Sequence, residues 1–490
     1  MKSTANNTKI RTIVFIEPRN EHLHIYSRFE LPRLGSILLA TIMRNLGYHT
    51  KAYFLTIQEI KKRNLKPDLV CISTITTTAI PSYNLAIHFR SLGIPVVMGG
   101  PHVSALPEEA IQYADYVIVG EGEKVLPLLV RALQGSYDIA KVPGLFWKSE
   151  KKIYKNSENN HISDLDSNPP PDWSLMDMGN RKTKGKRKKI TIPVQTSRGC
   201  PHDCSFCSVT QMFGRRFRYR STESIISEIK QYDPEIHSLF FVDDNFTASR
   251  KRTIELLDAM IENKFNFTWS TQVRVELAQD RELLNKMHNA GCRYLYIGFE
   301  SVNPESLIEM NKHQTPESIE YAIKVIRKTG IHIHGMFVFG FDSDTIDSCK
   351  ATVKFAIKKK IDSVQFLILT PLPGTQFYNK MMEENRLVDR NWNEYDAHHA
   401  KFRPKNFTLA ELQEMQIQGH QRFYTWWNNL ARLIRGKLSA FVIGVYAHYL
   451  NYKWKRAEKK YLKRIRIIPD NSQEADTKHE LFELIANETT

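Results

Sequence analysis

Three cysteines in the stretch TSRGCPHDCSFCSVT (196–210) have the spacing of a metal-binding loop. Cys200 is followed after three residues by Cys204, which is followed after two residues by Cys207. Half of the six cysteines in the 490-residue chain therefore fall within eight positions. Thiolates bind soft metals well, and three on one loop can hold a metal centre with one position left open. The loop predicts a catalytic metal site in a reducing compartment rather than a disulfide framework.

Two kinds of metal centre fit this spacing. A four-iron cluster held at three corners leaves its fourth iron free for a substrate or cofactor. A structural zinc ion would need a fourth ligand, such as His202 or a distant residue. Zinc sites usually pair two short ligand spacings, and the sequence contains no second pair. We therefore favour the four-iron cluster.

The chain that carries the cysteines alternates strand-like and helical patterns. From residue 190 to 375, six apolar runs are separated by amphipathic helices. Six such units predict an open, partial (β/α)6 barrel, whose chemistry sits at the carboxyl ends of the strands. The cysteines follow the first run, Asp243 and Asp244 follow the second, and Arg274 stands at the third. Glu300 and Ser301 follow the fourth run, so all of these residues are candidate site residues.

A second α/β pattern precedes this one. Apolar runs at 12–18, 69–74, 95–100 and 115–122 predict buried parallel strands, and the helical patterns between them end on glycine. These features predict a doubly wound domain of the Rossmann type, with its ligand beyond the carboxyl ends of the strands. The candidate ligand contacts at those ends are Ser73, Thr76, Gly99, Gly100, Gly120 and Glu121.

Composition shifts divide the chain into four parts. We expect a Rossmann-like domain over 10–145, a linker over 146–189, the barrel over 190–375 and a helical, basic C-terminal region over 376–490. The linker contains three consecutive prolines and the run RKTKGKRKK (181–189). That run suits a solvated spacer, and a site for phosphate or lipid headgroups is the alternative.

The net charge of +16 is concentrated in two segments. Seven basic residues lie in 181–189, and eleven lie between Ala431 and Arg466 with one acid. The rest is close to balanced, which argues against a nucleic-acid groove through the barrel. No apolar leader or membrane span is evident, so we expect a cytoplasmic location. An apolar run beside the basic C-terminal residues predicts peripheral contact with an anionic membrane, with a solvated helix or RNA attraction as alternatives.

The stretch CPHDCSFC, with Phe206 before its last cysteine, resembles the signature of the radical S-adenosylmethionine enzymes. In that family the open iron chelates S-adenosylmethionine, and an electron from the cluster cleaves it to a 5′-deoxyadenosyl radical. The resemblance implies a [4Fe-4S] cluster on the three cysteines. It also implies an electron donor such as flavodoxin or ferredoxin.

The same resemblance extends to the later strand ends. FVDDNF is similar to the segment that holds the methionine amino group, STQVRVE to the one that meets the carboxylate, GFES to the ribose or methionine contact, and HGMFVFG to the backbone near adenine. The residues it implies for S-adenosylmethionine are Phe206, Asp243, Asp244, Arg274, Glu300, Ser301, Gly335 and Gly340.

The front domain resembles the cobalamin-binding domain that precedes the barrel in one class of this family. PRLGSILLATIMRNLGY, GGPHVSALPEEA and YVIVGEGE match its typical run. The Asp-x-His-x-x-Gly stretch that supplies a cobalt ligand is missing, His22 and His24 lack its surroundings, and we read His102 as a loop residue. The resemblance therefore implies cobalamin held without histidine, or a vestigial domain.

These features together predict a cobalamin-dependent methyltransferase acting on an unactivated carbon of a small or lipid-like substrate. The alternatives are a radical cyclase or rearrangement enzyme with a vestigial front domain, and a basic iron–sulfur protein that binds RNA or membrane. The C-terminal region resembles that of a subgroup with hopanoid-modifying methylases. Its Trp392, Tyr395, His398 and His399 either line the substrate side of the barrel or plug its open end. Cys71, Cys292 and Cys349 are expected to be buried as small apolar residues.

Overall fold

The computed structural model describes residues 9–19, 31–149, 152–157, 161–179 and 189–467. His22 and His24 lie outside the described residues, as does the basic run at 181–189 except for Lys189. No helix in the described ranges is long and apolar enough to cross a bilayer.

Eight strands of the described front part form one sheet, in the order β7-β6-β5-β4-β3-β1-β2-β8. The strands are β1 (Thr12–Pro18), β2 (His49–Leu55), β3 (Leu69–Ser73), β4 (Val96–Gly99), β5 (Tyr116–Ile118), β6 (Leu145–Ser149), β7 (Lys152–Lys155) and β8 (Met176–Asp177). The helices are α1 (Leu34–Asn45), α2 (Ile57–Lys62), α3 (Ala79–Ser91), α4 (Pro101–Ala105), α5 (Pro107–Ala110) and α6 (Val125–Leu133).

The sheet is doubly wound, as predicted. From β1 the chain goes to β2 on one side and to β3, β4 and β5 on the other, and these neighbours are parallel. Alternate residues of β1 enter cores on opposite faces, with Val14 and Ile16 in one and Ile13 and Phe15 in the other. The sequence analysis missed β2 because its first half is polar and exposed, and it missed the antiparallel strands β6 and β7.

The second sheet has six strands that pair in chain order, all parallel, which confirms the partial barrel. They are β9 (Ile190–Val194), β12 (His237–Phe241), β13 (Trp269–Val273), β14 (Cys292–Glu300), β15 (His332–Phe339) and β16 (Ser363–Ile368), while β10 (Ser197–Arg198) and β11 (Arg218–Tyr219) form a separate antiparallel pair. The helices of this part are α7 (Val209–Phe213), α8 (Thr222–Ile229), α9 (Arg250–Glu262), α10 (Arg281–Asn289), α11 (Pro304–Glu309), α12 (Pro316–Lys328), α13 (Ile346–Lys358) and α14 (Gln376–Glu383).

Four helices complete the described C-terminal region: α15 (Leu409–Phe423), α16 (Trp426–Ile434), α17 (Leu438–Ala457) and α18 (Lys459–Ile467). Helix α15 packs against β16, the edge strand of the barrel. Its side chains pair with backbone groups of that strand: the Tyr424 hydroxyl donates to the Val364 carbonyl at 2.7 Å, and His420 Nε2 accepts from the Phe366 N–H at 3.1 Å. An open sheet edge is thereby covered.

Candidate functional site

The cysteine loop follows β9 and is anchored at several points. The Cys200 N–H donates to the Gly214 carbonyl at 3.3 Å, and the Cys207 N–H donates to the Cys204 carbonyl at 3.0 Å. The Ser205 carbonyl accepts from the Phe377 N–H at 2.9 Å, which ties the loop to α14. These bonds hold the loop at the carboxyl end of the barrel, where β/α barrels carry their chemistry.

The three thiols lie close enough to influence each other's ionisation. Burial raises the pKa of Cys207 to about 11, and neighbouring Cys204, Asp244 and Cys200 add to the effect. Burial also raises the pKa of Cys200. Since thiolate ligands must lose their protons, these positions need the positive charge of a metal centre. Within the described ranges no three His, Cys, Asp or Glu side chains converge on one ion. The fit to a cluster rests on the donor set, because cysteine thiolates are the ligands that iron–sulfur clusters take.

Asp243 and Asp244 have different surroundings. Asp243 is fully buried and accepts from the backbone N–H groups of Thr196 and Ser197, each at 2.8 Å, and from the Thr196 hydroxyl. Its carboxylate therefore orients the segment that leads into the cysteines. Burial and the charge of Asp243 raise the pKa of Asp244 to about 7. The charge of Asp244 reaches Cys200 and Cys207 and contributes to raising the pKa of both thiols.

Arg274 and Glu300 each have a partner in the protein. Arg274, at the end of β13, donates to Glu276 at 3.0 Å, and its charge lowers the pKa of Cys200. Glu300 accepts from Lys312 Nζ at 2.6 Å and adopts a left-handed backbone with φ of 60°. Both Glu300 and Lys312 are buried.

Four further residues predicted for S-adenosylmethionine have packing roles. The Ser301 hydroxyl accepts from the Asn303 N–H at 3.0 Å and so shapes the turn after β14. A methyl group added at Gly335 would meet the Phe299 ring at 3.1 Å, and one at Gly340 would meet Leu412 at 3.1 Å. The protein thus fills the space beside these glycines. The Phe206 ring packs edge-on against Phe341 at 6.1 Å.

A cavity of about 340 Å³ lies between the two sheets. Its front wall is formed at the carboxyl ends of β1, β3, β4 and β5, and its other wall by the barrel, including β9 and α7. Most of its lining is glycine and apolar side chain, with a few polar groups, as in cofactor sites. The predicted cobalamin contacts that line it are Ser73, Gly99, Gly100, Gly120 and Glu121.

Thr76 and Glu121, two of the predicted cobalamin contacts, have partners within the protein. Thr76 does not line the cavity; its hydroxyl lies 3.3 Å from Nδ1 of buried His102. Glu121 lines the cavity, but its carboxylate accepts from Arg198 at 3.1 Å and from Arg218 at 2.8 Å. Burial alone would raise the pKa of Glu121, and the two guanidinium groups lower it. This ion cluster joins the front domain to the barrel.

No histidine is among the described residues that line the cavity. His102 is buried, and its Nε2 lies 3.1 Å from the Tyr83 hydroxyl. The ring nitrogens of His102 therefore face the Tyr83 and Thr76 hydroxyl groups rather than the cavity.

The aromatic residues of the C-terminal region lie elsewhere than expected. Trp392 and Tyr395 neither line the substrate side nor plug the barrel; both belong to the core of the front domain, beside Tyr83. The Trp392 N–H donates to Glu109 at 2.9 Å. His398 and His399 are buried beneath α15 and α17, with ring contacts to Trp454.

Sequence reasoning missed several residues of the site. Arg33 lines the cavity at the start of α1, where it donates to the Ser73 carbonyl at 3.1 Å. Lys312 pairs with Glu300 from the segment after α11, and Arg198 with Arg218 neutralises Glu121. Of these residues, Arg33 belongs to a segment that the sequence singles out, PRLGSILLATIMRNLGY, so Arg33 could have been predicted. Cys71, Cys292 and Cys349 are buried, as expected.

Comparison with known proteins adds family matches to this geometry. Residues 194–356 match the radical SAM superfamily, and residues 24–130 match the B12 binding domain. The chain is 32% identical over 407 residues to an uncharacterised methyltransferase of Pyrococcus horikoshii, covering 80% of this chain and 88% of that protein. It is 31% identical over 362 residues to the bacteriochlorophyllide d C-12(1)-methyltransferase of Chlorobaculum tepidum, covering 73% and 75%.

Among solved structures, the fold is similar to that of the radical S-adenosylmethionine methyltransferase TsrM from Kitasatospora setae, with cobalamin and a [4Fe-4S] cluster bound. The TM-score is 0.64 at 19% identity, covering 77% of this chain and 75% of that one. At this identity the likeness concerns the fold.

Proposed function

This chain belongs to the radical SAM superfamily, in the class that carries a B12-binding domain, and we propose that it is a cobalamin-dependent methyltransferase. The reaction is methylation of an unactivated carbon of a small or lipid-like molecule. The observation that supports it best is the cavity between the carboxyl ends of the two sheets, whose barrel wall includes Arg198 before the cysteine loop and Met212 and Phe213 after it. An electron donor such as flavodoxin or ferredoxin completes the system.

The residues divide between two bound groups. Cys200, Cys204 and Cys207 hold the [4Fe-4S] cluster, and Asp244, Arg274 and Glu300 hold S-adenosylmethionine. When bound, the cluster supplies the electron that cleaves S-adenosylmethionine, and cobalamin supplies a carrier for its methyl group.

Side chains of both domains line the cavity and enclose the group that binds there. Arg33 and Ser73 form part of the polar lining on the front wall, while Met212 and Phe213 of α7 close the barrel side with apolar surface. A largely apolar enclosure excludes water from a reactive radical, which supports radical chemistry here.

The basic C-terminal region extends the proposal to peripheral membrane contact, since lysine and arginine attract anionic headgroups.

Product analysis tests the reaction itself. We expect anaerobically reconstituted protein to retain about one hydroxocobalamin per chain. With a reductant, S-adenosylmethionine carrying a deuterated methyl group and a lipid extract of a deletion strain, it should form 5′-deoxyadenosine and a product that contains the deuterated methyl. A product of unchanged or hydrogen-depleted mass would favour the cyclase, and failure to retain cobalamin would overturn methyl transfer through it.

Cysteine variants test the cluster. The reconstituted chain should bind about four irons. Cys200→Ala, Cys204→Ala and Cys207→Ala should each lose most of this iron and all detectable 5′-deoxyadenosine, because each removes one corner ligand. Cys349→Ala, which changes a cysteine buried in α13, is the matched control and should keep both. Stoichiometric zinc without cleavage of S-adenosylmethionine would contradict the assignment.

A further inference from the structure

Helix α16 presents its polar side to the protein and its apolar side to solvent. Asn429 and Arg432 are buried, and Arg432 donates to Asn429 at 2.6 Å with its guanidinium 4.5 Å from the centre of the Phe423 ring. Outward-facing Trp427 is 81% exposed and Ile434 is 78% exposed. An ordinary surface helix has the opposite arrangement.

The apolar surface continues onto α17, which packs closely against α16. A methyl group added at Gly444 would lie 2.2 Å from Asn429, so the two helices approach tightly there. We define the hairpin face as the exposed apolar residues of both helices. They are Trp426, Trp427, Leu430, Leu433, Ile434, Leu438 and Val442.

The charges around the hairpin face have one sign. Residues 425–457 contain six lysines and arginines and no aspartate or glutamate. Tyr449 and Tyr452, further along α17, are also exposed. Tryptophan and tyrosine favour the boundary between lipid and water, and basic residues favour anionic headgroups. Seven large apolar side chains exposed on two adjacent helices mark an interaction surface.

We propose that the hairpin face docks on an anionic lipid bilayer, with α16 lying in the headgroup region. The hairpin face combines apolar side chains with basic ones. An anionic membrane matches both, because it has an apolar interior beneath a layer of negatively charged headgroups. Helix α16 has apolar residues at i, i+1, i+4, i+7 and i+8 from Trp426, the spacing of an in-plane amphipathic helix.

The docking surface begins at the end of the barrel opposite the cysteines. The turn between α16 and α17 contacts the amino ends of β15 and β16: Ser439 Oγ lies 3.3 Å from His332 Nε2, and Lys437 Nζ lies 3.9 Å from Asp362. The hairpin face thus gives a location to the membrane contact of the proposed function, on which it rests, and it does not depend on the radical chemistry. Membrane binding and cleavage of S-adenosylmethionine should fail separately.

Vesicle flotation with the full chain tests the inference. We expect binding to phosphatidylcholine vesicles containing about one-third phosphatidylglycerol, weaker binding to phosphatidylcholine alone, and a decrease with added salt. The double variant Trp427→Glu/Ile434→Glu should bind at least about tenfold more weakly, because it puts charge where apolar contact is required. Leu92→Glu is the matched control: it changes a 53% exposed leucine at the end of α3 and should bind like the original chain.

Three outcomes would overturn the inference. Recovery of the original chain free of both kinds of vesicle would leave the hairpin face to residues beyond 467 or to another protein. If the double variant bound vesicles as tightly as Leu92→Glu does, the contact would belong to basic residues outside the hairpin face. A chain that is dimeric in solution and made monomeric by the double variant would identify the hairpin face as a self-interface. Equal formation of 5′-deoxyadenosine by all variants is expected, and shows that each is folded.

Discussion

At the scale of single residues, a buried ion pair lies over Gly298. A methyl group added at Gly298 would be 2.3 Å from Glu300 Oε1 and 3.0 Å from Lys312 Nζ, so glycine makes room for the pair. The strand pairing shifts register between Gly298 and Glu300, and Glu300 has a positive φ. The Glu300 backbone is therefore strained, and the surrounding contacts hold its carboxylate at the carboxyl end of β14.

A double-mutant cycle measures how far Glu300 and Lys312 depend on each other. Lys312→Met should lower the free energy of unfolding by about 3 kcal/mol, because it leaves a buried carboxylate without its cation. Glu300→Gln/Lys312→Met should be more stable than Lys312→Met alone. Chemical denaturation of the apoprotein gives the four values of the cycle, for the original chain, Glu300→Gln, Lys312→Met and the double variant. Additive effects of the two changes would contradict the pairing.

At the scale of elements, one histidine joins the segment before α15 to the turn between α17 and α18. The His399 ring lies 3.0 Å from Asp396 through Nδ1 and 2.9 Å from Glu458 through Nε2. Burial alone would lower the pKa of His399, but the charges of Asp396 and Glu458 raise it to about 10. The imidazolium form is therefore part of the folded structure, and it ties the helices that flank the edge strand.

The pH dependence of stability follows from this raised pKa. Protonated His399 stabilises the fold fully below about 6.5, the pKa of histidine in the unfolded chain. This stabilisation is lost as the pH rises through the higher pKa that His399 has in the folded protein. The melting temperature of the apoprotein should therefore fall between pH 7 and 10. His399→Gln should flatten this fall and cost about 3 kcal/mol near pH 7. His49→Gln, at an exposed histidine in β2, is the control and should keep the profile of the original chain. An unchanged profile in His399→Gln would refute the assignment.

At the scale of the whole molecule, the two α/β units face each other with their carboxyl ends. The cavity lies between them, and the cluster of Glu121, Glu123, Arg198 and Arg218 connects them at its wall. Trp392 adds a second connection, because it runs from the C-terminal region into the front core. The relative position of cysteine loop and cavity therefore depends on contacts between domains.

Removing the charge of Glu121 tests this connection. Glu121→Gln should lower stability by about 3 kcal/mol, since two guanidinium groups lose a buried partner. It should also reduce retained cobalamin several-fold, because the cavity wall loosens. Calorimetry and the absorbance of the gel-filtered protein report both effects. Glu108→Gln, at an exposed glutamate in α5, is the control. Full stability and full cobalamin retention in Glu121→Gln would contradict the proposed role of the cluster.

The sequence alone was sufficient to predict the features that depend on neighbouring residues, namely the metal-binding loop and the two α/β units. The spacing of Cys200, Cys204 and Cys207 is local, so it indicated the metal loop without a structure. Apolar runs and glycine-ended helices predicted both α/β units for the same reason, because periodicity is a property of neighbouring residues. Strand β2 escaped because its first half is polar and exposed, and a half-exposed strand shows a weaker pattern.

The tertiary structure decided which partner each polar residue has. Glu121 meets Arg218, which is 97 residues away, and Asp243 meets Thr196, which is 47 residues away. No local pattern encodes such pairings, because they depend on how whole sheets pack. The same packing moved Trp392 into the front core and left the apolar side of α16 exposed. Residue type and spacing therefore determined the chemistry this chain can support, while packing between distant elements decided which carboxylates are neutralised within the protein.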